Sequence, residues 1–566
     1  MRIERQGMKD VKDADPRVAG MQRIFLTGLP GSGKTTIGHR TADLLGWSFV
    51  DTDDVLAERM GMPVGQVLVE YGEERFRQLE AEVLHDLADG VRVVISTGGG
   101  MVIAEANRKF MRENGLMVYL QVSVDTSWKR MQETSVQIAR PLIAGKQGKQ
   151  RLQNLYTTRR KWYEEAPIQI DTEQGTQNEL ARRLISLALA HGYLFLPFLT
   201  REVIEFQVGR VASQTVVEWG GLPHLGKTLH DLEFSERLFV ITDSQVGALY
   251  TRSMQSLLER DGFQPHIFTI PAGEASKSFK YFQQIVDWLV EHRAERKEAI
   301  IALGGGVVGD LAGFIASCYL RGVPFVQVPT TLLAQVDSAI GGKTGFNHVL
   351  GKNLIGSYYQ PRLIYVDPAF ILTLPERIYS EGWVEIAKYA MILDDKLFTL
   401  LEENMDALRV RDPGLLTSIV ARSIRMKMEI VQDDELDFGV RNILNYGHTF
   451  GHALEATTDY GTWLHGEAIA IGMEVAARVA VASGRLTREE AARQTRLLQA
   501  LDLPIRCSGV DIEAILTAMQ RDKKVRGGRM RWVLPTRIGH AEVYSDIDTT
   551  IVREAVMAVC GEEGKA

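Results

Sequence analysis

Short runs of apolar and β-branched residues alternate along the chain with longer stretches whose apolar positions recur every three or four residues. Runs of the first kind read as strands and stretches of the second kind as amphipathic helices. Near the N-terminus the pattern predicts strands at Ile24–Thr27, Trp47–Val50, Val93–Ser96, Met117–Gln121 and Ile168–Ile170, with helices such as Thr35–Leu45 and Phe76–Ala88 between them. Strand–helix–strand repetition points to a parallel α/β sheet, because parallel neighbours need a crossover that also covers the sheet face. The pattern then restarts, with strands expected at Leu238–Thr242, His266–Ile270, Ala299–Leu303, Phe325–Val328 and Leu363–Val366. Beyond Pro375 helical periodicity dominates to about Leu501, and a hairpin is expected from Arg529–Leu534 and Ala541–Tyr544 around Arg537–Gly539. The expected organisation is a polar tail over 1–20, an α/β domain over 21–190 and a linker over 191–200. A second α/β domain over 201–374 and a mostly helical domain over 375–566 follow.

Composition narrows the class without naming a function. The 566 residues suffice for three or four domains at about 150 residues each. With 45% hydrophobic and 24% charged residues, disordered and collagen-like chains are excluded. A net charge of −7 provides no basic field for nucleic acid. The most apolar segment, Leu184–Leu199, is broken by His191, Gly192 and Pro197 and falls short of the roughly 20 residues a bilayer requires. The first 20 residues lack an apolar core, so no signal peptide is expected. Cys318, Cys507 and Cys560 are odd in number and far apart, which fits a reducing compartment better than a disulfide framework or a cysteine zinc site. A soluble cytoplasmic protein is the expectation.

Gly28-Leu29-Pro30-Gly31-Ser32-Gly33-Lys34-Thr35 has the full spacing of a phosphate-binding loop, between a predicted strand and a predicted helix. Backbone N–H groups around Gly31 and Gly33, with Thr36 in the first helical turn, can cradle phosphates at a positive helix end. Lys34 can reach the β- and γ-phosphates, and the Thr35 hydroxyl can ligate Mg²⁺. Asp51-Thr52-Asp53 is expected at the end of the second strand and Gly98-Gly99-Gly100 at the end of the third, the edge where such sheets bind ligands. Arg77, with Glu80 one helical turn on, adds a fork for a carboxylate, which suits a small polyhydroxy acid.

These residues resemble the shikimate kinases over about residues 21–190. The resemblance implies ATP with Mg²⁺ as phosphoryl donor. It implies shikimate contacts from Asp53, Arg77, Arg159 and Gly98–Gly100, and Asp51 helping to hold Mg²⁺. Arg140, in Arg140-Pro141-Leu142, resembles a lid arginine over the transferring group, and the register of Arg159 against Arg160 stays open. Another small-molecule kinase is the rival, against which Arg77 and the triple glycine speak.

In the second half, Gly304-Gly305-Gly306-Val307-Val308-Gly309-Asp310 is a glycine-rich strand-to-helix turn that can receive a dinucleotide pyrophosphate, although it departs from the usual Rossmann fingerprint. Pro271–Lys277 and Pro329–Leu333 are further loops at strand ends. His448 and His452 lie four apart on one helix face, His465 follows, and Glu385 lies upstream. Imidazoles with a carboxylate describe a catalytic divalent-metal site, and spacing alone nominates both His448 and His452. Lys343, Lys352, Lys388, Lys427 and Arg441, with Asn353 and Asn445, point to an anionic, phosphorylated substrate.

This half resembles the 3-dehydroquinate synthases over about residues 200–560. The match is close at Gly304–Asp310, Gln327–Thr331, Gln335–Asp337, Gly341–Thr344, Gly351–Ile355, Asn445–His452 and Trp463–Ala468. The resemblance implies a mostly helical metal-binding domain after a Rossmann-like one, with Glu385, His448 and His465 as ligands for Zn²⁺ or Co²⁺. It makes His452 a substrate-binding or proton-shuttling residue. It implies NAD⁺ contacts from Asp243, Glu274, Lys277, Gly305, Gly306, Val307, Asp310, Thr330, Thr331, Lys343, Lys352 and Thr373. Substrate contacts would come from Asp337, Lys343, Asn353, Lys388, Lys427, Arg441, Asn445 and one of Lys523 and Lys524. Lys34, Arg140, Lys388, Lys427, His452 and Asp437 are the expected catalytic residues. Asp437 stands where the family usually has glutamate, one methylene longer. Arg321 resembles an arginine lent to a neighbouring subunit's phosphate site, so a homodimer is implied. The implied reaction converts 3-deoxy-arabino-heptulosonate 7-phosphate to 3-dehydroquinate and phosphate. A metal-dependent polyol dehydrogenase is the rival, and it would not require so many phosphate-binding cations.

Overall fold

The structure is a computed structural model that describes residues 23–87, 92–133, 147–194, 201–209, 211–348, 351–458, 462–521 and 531–561. Arg140, Lys523, Lys524 and the 1–20 tail therefore lie outside the described residues, as does most of the 191–200 linker. The chain divides into two compact units that part just before residue 198.

In the first unit, strands β1 (Arg23–Thr27), β2 (Ser48–Asp51), β3 (Val93–Ser96), β4 (Leu116–Gln121) and β5 (Ile168–Asp171) form one parallel sheet in the order β2-β3-β1-β4-β5. Helices α1 (Lys34–Leu45), α2 (Thr52–Met60), α3 (Val64–Asp86), α4 (Glu105–Asn114), α5 (Val124–Glu133), α6 (Gly148–Tyr163) and α7 (Gln177–Ala190) connect and cover it. The central strands are buried on both faces, which explains their unbroken apolar runs. Helix α3 starts earlier than the apolar pattern predicts and breaks at Gly72, whose φ of 76° lies in the left-handed region. The apolar stripe of Leu184–Ala190 is buried within α7, and no described helix is long and apolar enough to cross a membrane.

The second unit holds a seven-stranded sheet. Its strands are β6 (Glu202–Val208), β7 (Val211–Val217), β8 (Arg237–Asp243), β9 (Gln264–Ile270), β10 (Ala299–Gly304), β11 (Phe325–Pro329) and β14 (Leu363–Val366), ordered β6-β7-β14-β11-β10-β8-β9. All neighbours are parallel except the β6–β7 hairpin, which sequence periodicity did not predict. A second unpredicted hairpin, β12 (Lys343–His348) with β13 (Gly351–Tyr358), projects from the main sheet. Both are half-polar or glycine-rich, so neither presents the apolar run that announces a buried strand. Helices α8 (Leu225–Asp231), α9 (Ser244–Arg260), α10 (Phe279–Glu291) and α11 (Gly306–Cys318) belong to this sheet.

The helical part follows: α12 (Glu376–Leu393), α13 (Asp395–Glu403), α14 (Met405–Arg409), α15 (Pro413–Asp433), α16 (His448–Thr457), α17 (His465–Ala482), α18 (Arg488–Ala500), α19 (Ile512–Arg521) and α20 (Thr549–Cys560). The small hairpin β15 (Trp532–Arg537) with β16 (His540–Tyr544) appears where it was expected. Helices α16 and α17 meet backbone to backbone. A Cβ at Gly472 would strike the Gly447 carbonyl, and one at Gly451 would lie 3.0 Å from the Ala468 oxygen. That approach brings the first residues of both helices, His448 and His465, together. Gly472→Ala is therefore expected to destabilise this unit by about 1–3 kcal/mol, the usual cost of overpacking. The measurement is the urea midpoint, and an unchanged value would show that the helices separate freely.

Candidate active sites

In the first unit, β2, β3 and β1 are neighbours, so the loops after them converge at one sheet edge. Gly28, Gly31 and Gly33 carry the phosphate loop through positive φ of 143°, 76° and 92°. Lys34 Nζ donates to the carbonyls of Gly28 at 3.0 Å and Leu29 at 2.9 Å. Thr35 Oγ1 donates to Asp51 Oδ2 at 3.0 Å, so the two expected Mg²⁺ ligands are already adjacent. Thr36 lies in the same first turn of α1. Asp51 also caps α2 by accepting from Asp53 N at 3.0 Å. Asp53 thus stands in the first turn of α2, not at the strand end where the sequence pattern put it.

The triple glycine is crowded by the residues predicted beside it. A Cβ at Gly98 would lie 2.6 Å from Glu80 Oε1 and 2.9 Å from Asp53 Oδ1, and one at Gly100 would overlap the Arg77 guanidinium. Arg77 donates to Glu80 Oε2 at 2.6 Å and Glu73 Oε1 at 3.2 Å. Burial raises the Glu80 carboxyl above its usual range, against the pull of Arg77. Arg159 is buried and donates to Gly99 O at 2.9 Å, whereas Arg160 points outward to Glu164. Of the two, Arg159 is the one that faces the triple glycine. Tyr163, which sequence reasoning passed over, donates to the same carbonyl at 2.6 Å. It lies one helical turn after Arg159, which was the available signal.

In the second unit, Asp243, Gly305–Val307 and Thr330–Thr331 end β8, β10 and β11, which are consecutive in the sheet. The chain leaves β8 for β9 on one side and continues with β10 on the other, which is the switch point where open α/β sheets bind ligands. Asp243 caps α9 through the N–H groups of Gln245 and Val246. Lys277 bonds Asp310 and Asn353, and burial raises the Asp310 carboxyl. Glu274 accepts from Asn347 at 2.7 Å, and Thr373 meets the Tyr250 hydroxyl at 2.8 Å.

Glu385, His448 and His465 converge, with one ligand atom from each within 4.8 Å of the others. Glu385 is 1% exposed. One of its oxygens meets Lys388 Nζ. The other, Oε1, has no hydrogen-bond partner among the described residues and lies 3.7 Å from His448 Nε2. His448 Nδ1 lies 3.0 Å from the Tyr446 carbonyl, which can only accept, so Nδ1 is the donor there and Nε2 is the nitrogen turned toward Glu385. His465 Nδ1 meets Glu455 Oε2 at 3.1 Å in the same sense. A buried carboxylate oxygen without a partner beside two oriented imidazoles fits a divalent cation. His452, Glu455 and His465 form a second possible set. There Glu455 is already bonded to His465 and paired with Lys352 at 3.0 Å, so the first set is the better metal site. Glu455 was not predicted, although it shares a helix face with His448 and His452.

Next to this cluster, the π-turn Ala334–Ser338 presents Asp337. Lys427 donates to Asp337 Oδ1 at 2.6 Å and Tyr389 to the same oxygen at 2.8 Å. Burial would raise the Asp337 carboxyl, but Lys427 and Lys388 outweigh it and hold it well below its usual range. Burial in turn lowers Lys427 to about 8. Arg441 is buried on the carbonyls of Gly341 and Glu435, and Asp434 secures its loop through three backbone N–H groups. Asp437 has φ 60° and pairs with Lys343 at 2.5 Å. Asn445 donates to Asn442 O, and Arg321 lies in an exposed turn with φ 63°.

A P-loop on a five-stranded parallel sheet defines a phosphotransferase; a metal-ligand set beside a sheet switch point and buried lysines defines a second enzyme. Residues 30–188 match the family model "Shikimate kinase", 267–381 match "3-dehydroquinate synthase N-terminal" and 382–525 match "3-dehydroquinate synthase C-terminal". A 3-dehydroquinate synthase of Nostoc punctiforme is 45% identical over 341 residues, covering 60% of this chain and 94% of that one. Among solved structures, 2-epi-5-epi-valiolone synthase from Streptomyces hygroscopicus subsp. jinggangensis, with NAD⁺ and Zn²⁺ bound, is 29% identical. It covers 62% of this chain and 98% of its own, with a TM-score of 0.59. A 2-deoxy-scyllo-inosose synthase complexed with carbaglucose-6-phosphate, NAD⁺ and Co²⁺ is 26% identical over 63% of this chain and all of its own, with a TM-score of 0.58. The chain belongs to the 3-dehydroquinate synthase family and carries a shikimate kinase domain ahead of it. It is a bifunctional enzyme of the shikimate pathway.

The ligand set makes a direct prediction. Glu385→Gln and His448→Ala should each weaken Zn²⁺ binding by more than about tenfold, whereas His452→Ala should change it little. Competition against a chromophoric chelator measures this, and equal losses in all three would remove the distinction between the two sets.

Proposed function

We propose that the first unit transfers the γ-phosphoryl group of ATP to the 3-hydroxyl of shikimate. In this reading Lys34 exchanges its two carbonyl partners for phosphate oxygens, a movement its flexible stem allows. Thr35 and Asp51 hold Mg²⁺, which when bound neutralises phosphate charge. Asp53 takes a substrate hydroxyl, while Arg77 and Arg159 take the carboxylate against the Gly98–Gly100 backbone. Glu80 positions Arg77. Arg140 would close over the transferring group.

We infer that the second unit converts 3-deoxy-arabino-heptulosonate 7-phosphate to 3-dehydroquinate. The juxtaposition of Glu385, His448 and His465 with Lys388 and Lys427 carries this reading. Asp243, Glu274, Lys277, Gly305–Val307, Asp310, Thr330, Thr331, Lys352 and Thr373 would hold NAD⁺, which when bound would supply reversible hydride uptake with no net redox. Glu385, His448 and His465 hold Zn²⁺ or Co²⁺, both suited to this donor set, and the cation when bound polarises a substrate hydroxyl. Lys388, Lys427, Lys343, Asn353, Arg441, Asn445 and Lys524 bind the phosphate and carboxylate and stabilise enolate charge. His452 moves a proton at the substrate's edge. Asp437, tied to Lys343, orients that lysine. The unit works as a cytoplasmic homodimer in which Arg321, exposed in its turn, reaches the neighbouring phosphate site.

The kinase and synthase roles separate by substitution. Lys34→Ala should lower shikimate-dependent ATP consumption by about 10²–10³-fold or more and spare phosphate release from the heptulosonate, with His448→Ala doing the reverse. Loss of both activities in either folded variant would refute independent sites. Steady NADH accumulation would instead favour a polyol dehydrogenase.

A pH test follows from Lys427. Its charge is present below about 8 and is lost above it. Synthase kcat/KM should therefore fall as pH rises through about 8, and a flat profile from pH 7 to 9 would show that this charge is not used.

A further inference from the structure

Two of the three cysteines, 53 positions apart, meet in the second unit. Cys507, in the segment between α18 and α19, and Cys560, the last residue of α20, have their sulfurs 2.9 Å apart. They are 4% and 5% exposed. Their backbones are locked together as well, since Cys507 N donates to Val559 O at 3.2 Å. Buried cysteines usually pack as small apolar groups. These two instead form an S–H···S hydrogen bond, about 1 Å longer than a disulfide bond. The bond from Cys560 draws the Cys507 thiol below its ordinary range, and the same interaction pushes Cys560 up, with burial adding to it. Each thiol thus stands beside the partner needed to trap it once oxidised. Cys318, by contrast, is exposed, and its sulfur lies 3.6 Å from the neighbouring Ser317 hydroxyl.

We propose that Cys507 and Cys560 are a thiol pair that a peroxide converts to a reversible intramolecular disulfide. The Cys507 sulfur attacks one oxygen of hydrogen peroxide, giving a sulfenic acid and one water. The Cys560 sulfur then displaces hydroxide from Cys507, which leaves as the second water with the Cys560 proton. The two sulfurs lose two electrons, and the peroxide gains them. In a reducing compartment the pair rests as thiols, and the bond forms on exposure to oxidant. The ring so closed contains α19, β15 and β16. Helix α19 packs on α16, which bears His448 and His452, and β15 and β16 pack on α12, which bears Glu385.

The test uses the full chain, reduced, desalted and treated with a small excess of hydrogen peroxide. Catalase and iodoacetamide then quench the reaction. Peptide mapping is expected to show Cys507 joined to Cys560 with the loss of two hydrogens, Cys318 alkylated, and full return of both thiols with dithiothreitol. Cys507→Ser and Cys560→Ser should each abolish the linked peptide, and Cys318→Ser should leave it. Alkylation of Cys507 and Cys560 in the oxidised wild type would overturn the proposal. So would intermolecular links, or linkage to Cys318.

Discussion

A parallel sheet sends every strand out at the same edge, and the helix N-termini that follow point back at that edge. Both units depend on this constraint. In the first, Gly28–Thr35, Asp51–Asp53 and Gly98–Gly100 are separated by tens of residues yet sit at or just beyond the ends of three adjacent strands. In the second, Asp243, Gly305–Val307 and Thr330–Thr331 do the same. Polar groups collect there because the strand interiors are sealed on both faces, leaving the edge as the exit for backbone N–H groups and charge.

That constraint explains why so much was legible. Parallel strands in the sheet interiors are continuous apolar runs, and all ten predicted parallel strands fall almost on the observed bounds, the half-exposed edge strands β2 and β9 included. Motif glycines stand where backbone and ligand approach closely, so Gly31, Gly33 and Gly98–Gly100 announce themselves. The β6–β7 and β12–β13 hairpins were missed because their burial is one-sided or their strands are glycine-rich and poor in apolar residues. Glu455 was missed because a single glutamate on a helix resembles solvated surface until Lys352, distant in sequence, and His465, on the next helix, arrive beside it. The Cys507–Cys560 contact is invisible for the same reason: the last helix returns to a loop 53 positions away.

The helical half reaches a comparable precision by a different route. It has no shared sheet edge for its ligands, and their positions come from helix crossings. Gly447, Gly451 and Gly472 let α16 and α17 approach until carbonyls meet Cα atoms, which no larger residue permits. The nearness of His448 and His465 is thus set by missing side chains. Second contacts then aim the rings, Tyr446 O for one and Glu455 for the other.

The cations of both sites are already engaged by protein oxygens. Lys34 rests on its own loop, Lys277 on Asp310, Lys343 on Asp437, Lys352 on Glu455, Lys388 on Glu385 and Lys427 on Asp337. Removing such groups from water without a partner would cost several kcal/mol each. Anion binding at these positions is therefore an exchange of acceptors. Its net gain is the difference between phosphate and the resident oxygen, which is small for a buried carboxylate and larger for a carbonyl. On this argument Lys34 gains most from a phosphate. Lys427, already paired with Asp337, gains less, and together with Lys388 it holds the Asp337 carboxyl below its usual range against burial.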